Sequence, residues 1–259
     1  MTGESLHSDQ GQRPRLSVVI PVYNERATIE EILRRVQAVK IEKEIIIVDD
    51  GSTDGTRDWL RSLQEASASL TNASQSEVAH DVRRDNLTIL FLDRNYGKGM
   101  AMRRGFQEAR GDIVLVQDAD LEYDPQDYPQ LLYPIECGRA DVVYGSRFLS
   151  GPHRVLMFWH YLANRLLTLL ANIFTNLKFS DVWTGYKVFR REVLAHLTLR
   201  EQGFGFDPEI TVKIAKGGWR VYEVPISYWE RTYAEGKKIT WRDGIHNIWC
   251  LLRYSLWSS

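Results

Sequence analysis

Aspartates stand where the chain's apolar runs end. Asp49 and Asp50 follow EIIIV, Asp93 follows LTILFL, and Asp118 and Asp120 follow DIVLVQ. Carboxylates gathered at the ends of buried strands are desolvated and repel one another unless a cation or hydrogen-bond donors neutralise them. In Asp118-Ala119-Asp120-Leu121-Glu122 three carboxylates alternate, so an extended backbone would turn all three to one side. A hard divalent cation suits such a set. Mg²⁺ takes one or two protein carboxylates and completes its shell with water and phosphate oxygens, so Mg²⁺ or Mn²⁺ is the expected cofactor. An Asp-x-Asp triplet alone is a weak signal, and its position at a strand end gives it weight. Asp54, within DDGSTDGT, reads as a helix cap, whereas Asp50 reads as part of a site.

Other residue types complete the picture. The turn Asn95–Met100 opens a helix and lacks the first Gly and the Ser/Thr of a P-loop, so it reads first as a tight turn and only second as a phosphate contact. Arg147 follows the strand DVVYG, at the same edge as the carboxylates, and Arg231 and Lys237 lie in ERTYAEGKK. Lys238 and Arg242 read as solvated surface charge. The sequence contains no convincing Ser-His-Asp or Cys-His arrangement. Cys137 and Cys250 are far apart, with no His/Cys cluster at metal-ligand spacing, so neither a disulfide framework nor a zinc site is indicated.

The elements that must position these residues follow from the apolar pattern. LSVVIPV (16–22), EIIIVDD (44–50), LTILFLD (87–93) and DIVLVQD (112–118) lack clear alternation, as strands buried on both faces do. Helical spacing after Asn24, and a helix capped by Thr53 or Asp54 and running through Leu63, give the order β-α-β-α-β-α-β. That order predicts a mostly parallel sheet with ligands at the carboxyl ends of its strands. Shorter strands are expected at 141–145 and 220–224, and 64–86 reads as a loop insertion.

The 259 residues, 44% hydrophobic, fit one large domain. A formal net charge of -1 excludes the basic footprint of a nucleic-acid binder. Residues 1–15 read as a disordered tail without a signal peptide, consistent with a cytoplasmic location. Segment 155–177 is strongly apolar except for a stripe at His160, Asn164, Thr168, Asn172 and Asn176. It is a helix that lies on something rather than spanning a membrane. Residues 241–259 read as an amphipathic C-terminal helix.

Eight ordered motifs carry a family resemblance: VVIPVYNE (18–25), IIIVDDGSTDGT (45–56), NYGKG (95–99), DADLEYDP (118–125), GSRF (145–148), DVWTGYK (181–187), FDPEI (206–210) and ERTYAEGK (230–237). With them the chain resembles glycosyltransferase family 2, and within it the dolichyl- or polyprenyl-phosphate mannosyltransferases. The resemblance implies an α/β GT-A fold over 16–240, with a nucleotide-binding half (16–124) and an acceptor half (125–240). It implies a nucleoside-diphosphate sugar donor held by Pro21, Tyr23, Glu25, Val48, Asp50, Asp118, Ala119 and Asp120. It further implies a metal at Asp118, Asp120 and Glu122, phosphate contacts from Arg147, Arg231 and Lys237, and Asp120 and Arg147 as the catalytic pair. Glu122 stands where these mannosyltransferases often carry Gln, and Trp183 and Gly185 also depart from the bacterial pattern.

The expected reaction is inverting transfer of a sugar, mannose from GDP-mannose, to a polyprenyl or dolichyl phosphate by a protein held peripherally on the cytosolic face of a membrane. One rival is transfer of glucose or another sugar from a UDP-sugar to lipid phosphate, or to a glycan or protein hydroxyl with Asp181 or Glu209 as base. Another is a non-catalytic membrane-surface binding module.

Overall fold

The four apolar runs become strands because each is covered on both sides. In β1 (Leu16–Val22), Val18, Ile20 and Val22 enter one apolar core while Val19 enters a second. In β2 (Lys43–Asp49), Ile45 and Ile47 enter the first core and Ile46 and Val48 the second. A computed structural model of the chain describes residues 15–71, 86–149, 157–231 and 241–257.

With β3 (Leu87–Phe91), β4 (Ile113–Val116), β5 (Val142–Ser146), β6 (Lys187–Arg190) and β7 (Val221–Pro225), these strands form one sheet in the order β3-β2-β1-β4-β6-β5-β7. β6 pairs antiparallel with both its neighbours, and every other pairing is parallel. The sheet therefore runs through both expected halves. Because β6 is reversed, its entry loop meets the carboxyl ends of all the other strands at one edge. β1 lies between β2 and β4, which places the strand-order reversal, and the crevice that accompanies it, at that same edge.

The first core lies under α1 (Ile29–Ala38), through Ile29, Ile32, Leu33 and Val36, and under α4 (Tyr128–Glu136), through Leu131, Leu132 and Ile135. The second takes Ala101 and Met102 of α3 (Lys98–Glu108), Ile210, Val212 and Ile214 of α7 (Phe206–Lys216), and Cys250, Leu251 and Tyr254 of α8 (Trp241–Leu256). A short α6 (Arg191–Ala195) follows β6 directly.

Several expectations need correction. α2 spans Thr56–Thr71, so the helix continues past Leu63 into the segment read as a loop, and residues 72–85 lie outside the described ones. β6 was not foreseen, since four residues carry too little periodicity to declare a strand. The expected 155–177 helix is α5, Phe158–Thr175. Its polar stripe points inward at Asn164, Thr168 and Asn172, while Asn176 at its end is exposed. Thr168 is buried, and Asn172 exchanges two hydrogen bonds with the Phe179 backbone, donating from Nδ2 at 2.8 Å and accepting at Oδ1 at 2.9 Å. Much of the apolar surface of α5 faces out instead, with Trp159 74% exposed and Ile173 65%, while Leu170 and Ala171 pack into the second core.

Candidate active site

The carboxyl edge of the sheet collects the acidic residues, and each has a specific partner. Asp50, just after β2, is buried and accepts the backbone N–H groups of Tyr96 (2.8 Å) and Gly97 (2.7 Å). Burial pushes its pKa up, and the two N–H donors oppose that shift. Those N–H groups are thus committed to Asp50 rather than held open for a phosphate, and Gly97, at φ 99°, makes the turn possible. The turn presents Lys98 instead, whose Nζ meets Asp118 Oδ1 at 2.6 Å. Burial acts to lower the Lys98 pKa, but Asp118, Asp207 and Asp120 outweigh it and hold the ammonium charged.

Asp49 binds Arg57 Nε at 2.6 Å and Asp93 is exposed. Asp54 accepts from the Thr56 N–H and hydroxyl at the start of α2, as its reading as a cap expects.

The 118–122 segment is a turn with Leu121 at φ 63°, not the extended strand that the alternating carboxylates suggested. Asp118 is drawn to Lys98, while Asp120 and Glu122 share Arg231. Arg231 Nη2 lies 3.1 Å from Asp120 Oδ2, its backbone N–H donates to Glu122 Oε1 at 2.9 Å, and Nη1 lies 3.3 Å from Glu25 Oε2. The Asp120 carboxyl is pushed up to about 7, first by burial and then by Asp118 and Glu122, with Arg231 opposing. Such a carboxyl is short of positive charge.

Arg147, at the end of β5, grips Asp181 with both arms of its guanidinium: Nε to Oδ2 at 2.6 Å and Nη2 to Oδ1 at 2.8 Å. Both side chains are largely buried, and a pair this well matched repays desolvation only through such two-pronged geometry. Asp181 is fixed in turn by Glu223 on β7, which accepts the backbone N–H groups of Ser180 and Asp181. The Arg147 guanidinium also lies over the Tyr228 ring, 5.1 Å from its centroid.

Behind these groups the loop entering β6 approaches closely. A Cβ on Gly185 would come within 2.1 Å of Asp118 Oδ2 and 2.8 Å of the Tyr123 ring, so a side chain there would force the loop or Asp118 to move. Lys98, Glu223 and Tyr228 were not singled out as site residues from the sequence, and Asp181 was offered only as a base for a hydroxyl acceptor, not as the partner of Arg147. No spacing connects them, because the reversed β6 and the strand β7 bring them in from distant parts of the chain.

Pro21 and Tyr23 sit at the end of β1, and Ala119 is buried after β4. Val48 is fully buried in the core, so only its backbone can face a ligand. Lys237 lies outside the described residues. Glu209, offered as a possible base, instead accepts the N–H groups of Arg200 and Glu201 and pairs with Lys213 at 2.6 Å.

The site adjoins an apolar surface. Phe148, next to Arg147, packs edge-on against Tyr161 of α5 with centroids 5.4 Å apart. From there Phe158, Trp159, Leu162, Leu166, Leu169 and Ile173 lie exposed along α5. α8 packs beside α5 and adds exposed Ile245, Trp249 and Leu256. No helix of the described residues is long and apolar enough to cross a membrane.

Comparison with known proteins agrees with this arrangement. The family model "Glycosyl transferase family 2" matches residues 17–198. An undecaprenyl-phosphate mannosyltransferase of Micrococcus luteus is 29% identical over 231 residues, covering 86% of this chain and 87% of the relative. An undecaprenyl-phosphate 4-deoxy-4-formamido-L-arabinose transferase of Pseudomonas aeruginosa is 32% identical over 227 residues, covering 86% of this chain but 60% of that longer protein. Among solved structures, glucosyl-3-phosphoglycerate synthase of Mycobacterium tuberculosis in complex with Mn²⁺, uridine diphosphate and phosphoglyceric acid superposes with a TM-score of 0.68. That likeness has 21% identity, covers 94% of this chain and 79% of the other, and shows the fold. With acids, Lys98 and two clamped arginines gathered at the carboxyl edge of a GT-A sheet, and a family match over most of its length, the chain belongs to glycosyl transferase family 2 and is a glycosyltransferase.

Proposed function

We propose that this glycosyltransferase moves mannose from GDP-mannose, with inversion, to the phosphate of a polyprenyl or dolichyl lipid, working peripherally on the cytosolic face of a membrane. The observation that carries the proposal is the outward apolar face of α5 beginning beside Arg147. A helix that turns its polar stripe to the protein and Trp159, Leu166 and Ile173 to solvent offers a landing place for hydrocarbon at the point where a phosphate would meet a guanidinium. The two relatives named for undecaprenyl phosphate support the same acceptor class.

The donor end follows from the acidic cluster. Asp120 and Glu122 offer only hard oxygen ligands, and burial first, then the neighbouring Asp118 and Glu122, raise the Asp120 pKa against the pull of Arg231, so the carboxylate would gain from a further positive charge and the residues fit Mg²⁺ or Mn²⁺. Asp120, with Asp118 and Glu122, would hold the ion, which when bound would neutralise charge on the departing nucleoside diphosphate. Glu25, Asp50 and the backbone around Val48 and Ala119 would line the nucleotide. Lys98 stays charged beside Asp118, and Lys237 would add a second cation. Arg231, now spread over Glu25, Asp120 and Glu122, would release oxygens of those acids by turning toward the diphosphate.

At the acceptor end, Arg147 is held rigid by Asp181 and Glu223, so it would orient a phosphate without first being ordered itself. A phosphate monoester, with its second pKa near about 6, arrives largely ionised and needs no protein base. Its oxygen attacks the sugar C1 as the bond from C1 to the diphosphate breaks, inverting that carbon. A hydroxyl acceptor would require a carboxylate base, and both candidates are engaged: Asp181 by Arg147, Glu209 by two N–H groups and Lys213.

The test is transfer of labelled sugar into an organic-extractable product from GDP-mannose and, in parallel, UDP-glucose, with polyprenyl phosphate and with or without Mg²⁺ or Mn²⁺. Metal-dependent lipid label from GDP-mannose is expected. Label only from UDP-glucose would overturn the donor, and label reaching only water-soluble hydroxyl acceptors would overturn the lipid phosphate.

A further inference from the structure

Beside the exposed Trp249 of α8, whose ring stacks on His246 with centroids 5.9 Å apart, three potential ligands of different chemistry converge. His246 and Cys250 stand four residues apart, hence on one helical face, and Glu201 meets them from the turn before α7. His246 Nε2 is 3.2 Å from Glu201 Oε2 and 3.4 Å from Cys250 Sγ, and one atom from each residue lies within 4.8 Å of the others. A tetrahedral zinc ion, with bonds of about 2.0–2.3 Å, separates its donor atoms by roughly 3.4–3.6 Å. The two observed separations are within a few tenths of an ångström of that range.

Gly205 shows that the three atoms face a common point. A Cβ at residue 205 would lie 2.8 Å from Cys250 Sγ and 2.9 Å from both Glu201 Oε2 and His246 Nε2. The other Glu201 oxygen is held by the Tyr254 hydroxyl at 2.7 Å, with Arg253 Nη1 3.7 Å away, which leaves Oε2 directed at the cluster. Cys250 is buried and His246 is exposed, so the pocket has a thiol at its base and an opening toward solvent.

We propose that Glu201, His246 and Cys250 form a site for a zinc-type transition-metal ion, separate from the acidic site at the sheet edge. The sulfur and imidazole ligands favour a borderline-soft ion over Mg²⁺, and three protein ligands leave a fourth position for water. From the sequence no zinc site is indicated, since Cys137 and Cys250 are far apart and no His/Cys cluster stands at metal-ligand spacing; His246 and Cys250 become a pair because 241–256 is helical and Glu201 folds against them. An ion here ties α8 to the 200–205 turn. That turn in turn holds the start of α3, where Met100 N–H donates to Gln202 O at 3.0 Å two residues from Lys98. The metal would brace the helix bearing Trp249 against the element that carries a donor-site cation.

The experiment is titration of the untagged full chain with Co²⁺ in the presence of excess Mg²⁺, read by absorption. A sulfur-to-cobalt charge-transfer band that saturates at one equivalent and is displaced by Zn²⁺ is expected. Cys250→Ser should abolish the band. His246→Gln, at an exposed position whose folding is checked by circular dichroism, should weaken binding at least about tenfold. Asp120→Asn should leave the band intact, separating this site from the acidic one. Absence of the band in the wild-type chain, or an undiminished affinity in His246→Gln, would overturn the proposal and leave the cluster as a hydrogen-bonded contact.

Discussion

Arg231 and Asp120 are 111 residues apart in the sequence and meet at 3.1 Å between Nη2 and Oδ2. The same guanidinium reaches Glu25 and Glu122, so one cation from the segment after β7 closes the acidic cluster formed after β1 and β4. Asp120→Ala should therefore remove a group needed for charge on the leaving diphosphate, lowering kcat by about 10²–10³-fold. Labelled-sugar transfer by a variant shown to be folded checks this, and wild-type rates would refute the assignment.

The raised Asp120 pKa has a definite consequence for pH. Its unfolded value is the ordinary carboxylate one and its folded value is about 7, so the metal-free native state binds more protons than the unfolded chain between those values. The contribution of this group to stability is fully present below the unfolded pKa and declines as pH rises toward 7. Melting temperatures across pH 4–8 should show this decline without divalent metal and a weaker one with Mg²⁺ or Mn²⁺. A profile unaffected by metal would count against ion binding at Asp120.

Asp181→Asn should leave Arg147 buried with its charge uncompensated. A loss of about 3–5 kcal/mol in denaturant unfolding is expected. Arg147→Lys, which cannot make the two-pronged contact, should keep nucleotide binding by calorimetry while transfer falls, and loss of both together would contradict an acceptor-side role.

Gly185→Ala places a Cβ 2.1 Å from Asp118 Oδ2, and either the loop or the carboxylate must move. A cost of about 1–3 kcal/mol is expected, with a larger effect on kcat than its modest size suggests, because Asp118 also fixes Lys98. Unfolding and turnover measured on the same preparation check it.

The outer face of α5 is predicted to matter for lipid and not for folding. Trp159→Ser with Ile173→Ser should change stability by no more than about 0.5 kcal/mol per site, since both side chains are exposed. Vesicle binding and turnover on long-chain polyprenyl phosphate should fall several-fold, while turnover on a short water-soluble prenyl phosphate should hold. Equal losses on both acceptors would point to a structural role for the face.

Much of the first half was readable because its signals are local. β1 to β4 are continuous apolar runs, and Asp50, Asp118 and Asp120 follow them directly, so buried strands with acids at one edge could be inferred without a partner in view. α5 was legible as a helix but not in its orientation. Periodicity places Asn164, Thr168 and Asn172 on one side of the helix, yet only the Phe179 backbone decides that this side turns inward. The alternation of Asp118, Asp120 and Glu122 misled for a related reason: Leu121 adopts a left-handed conformation, so the segment turns, with Asp118 paired to Lys98 and Asp120 and Glu122 sharing Arg231.

From sequence alone, the ordered motifs and apolar periodicity determined the α/β class, the site's edge and the family resemblance, since each depends on neighbours in the chain. The tertiary structure alone decided that β6 runs backward, which carries Asp181 and Gly185 to the edge where Arg147 and Asp118 wait. It also decided that Glu201 joins His246 and Cys250 across 45 residues. Those relations depend on long-range pairing and on the space left by a missing Cβ, which no local pattern of residues encodes.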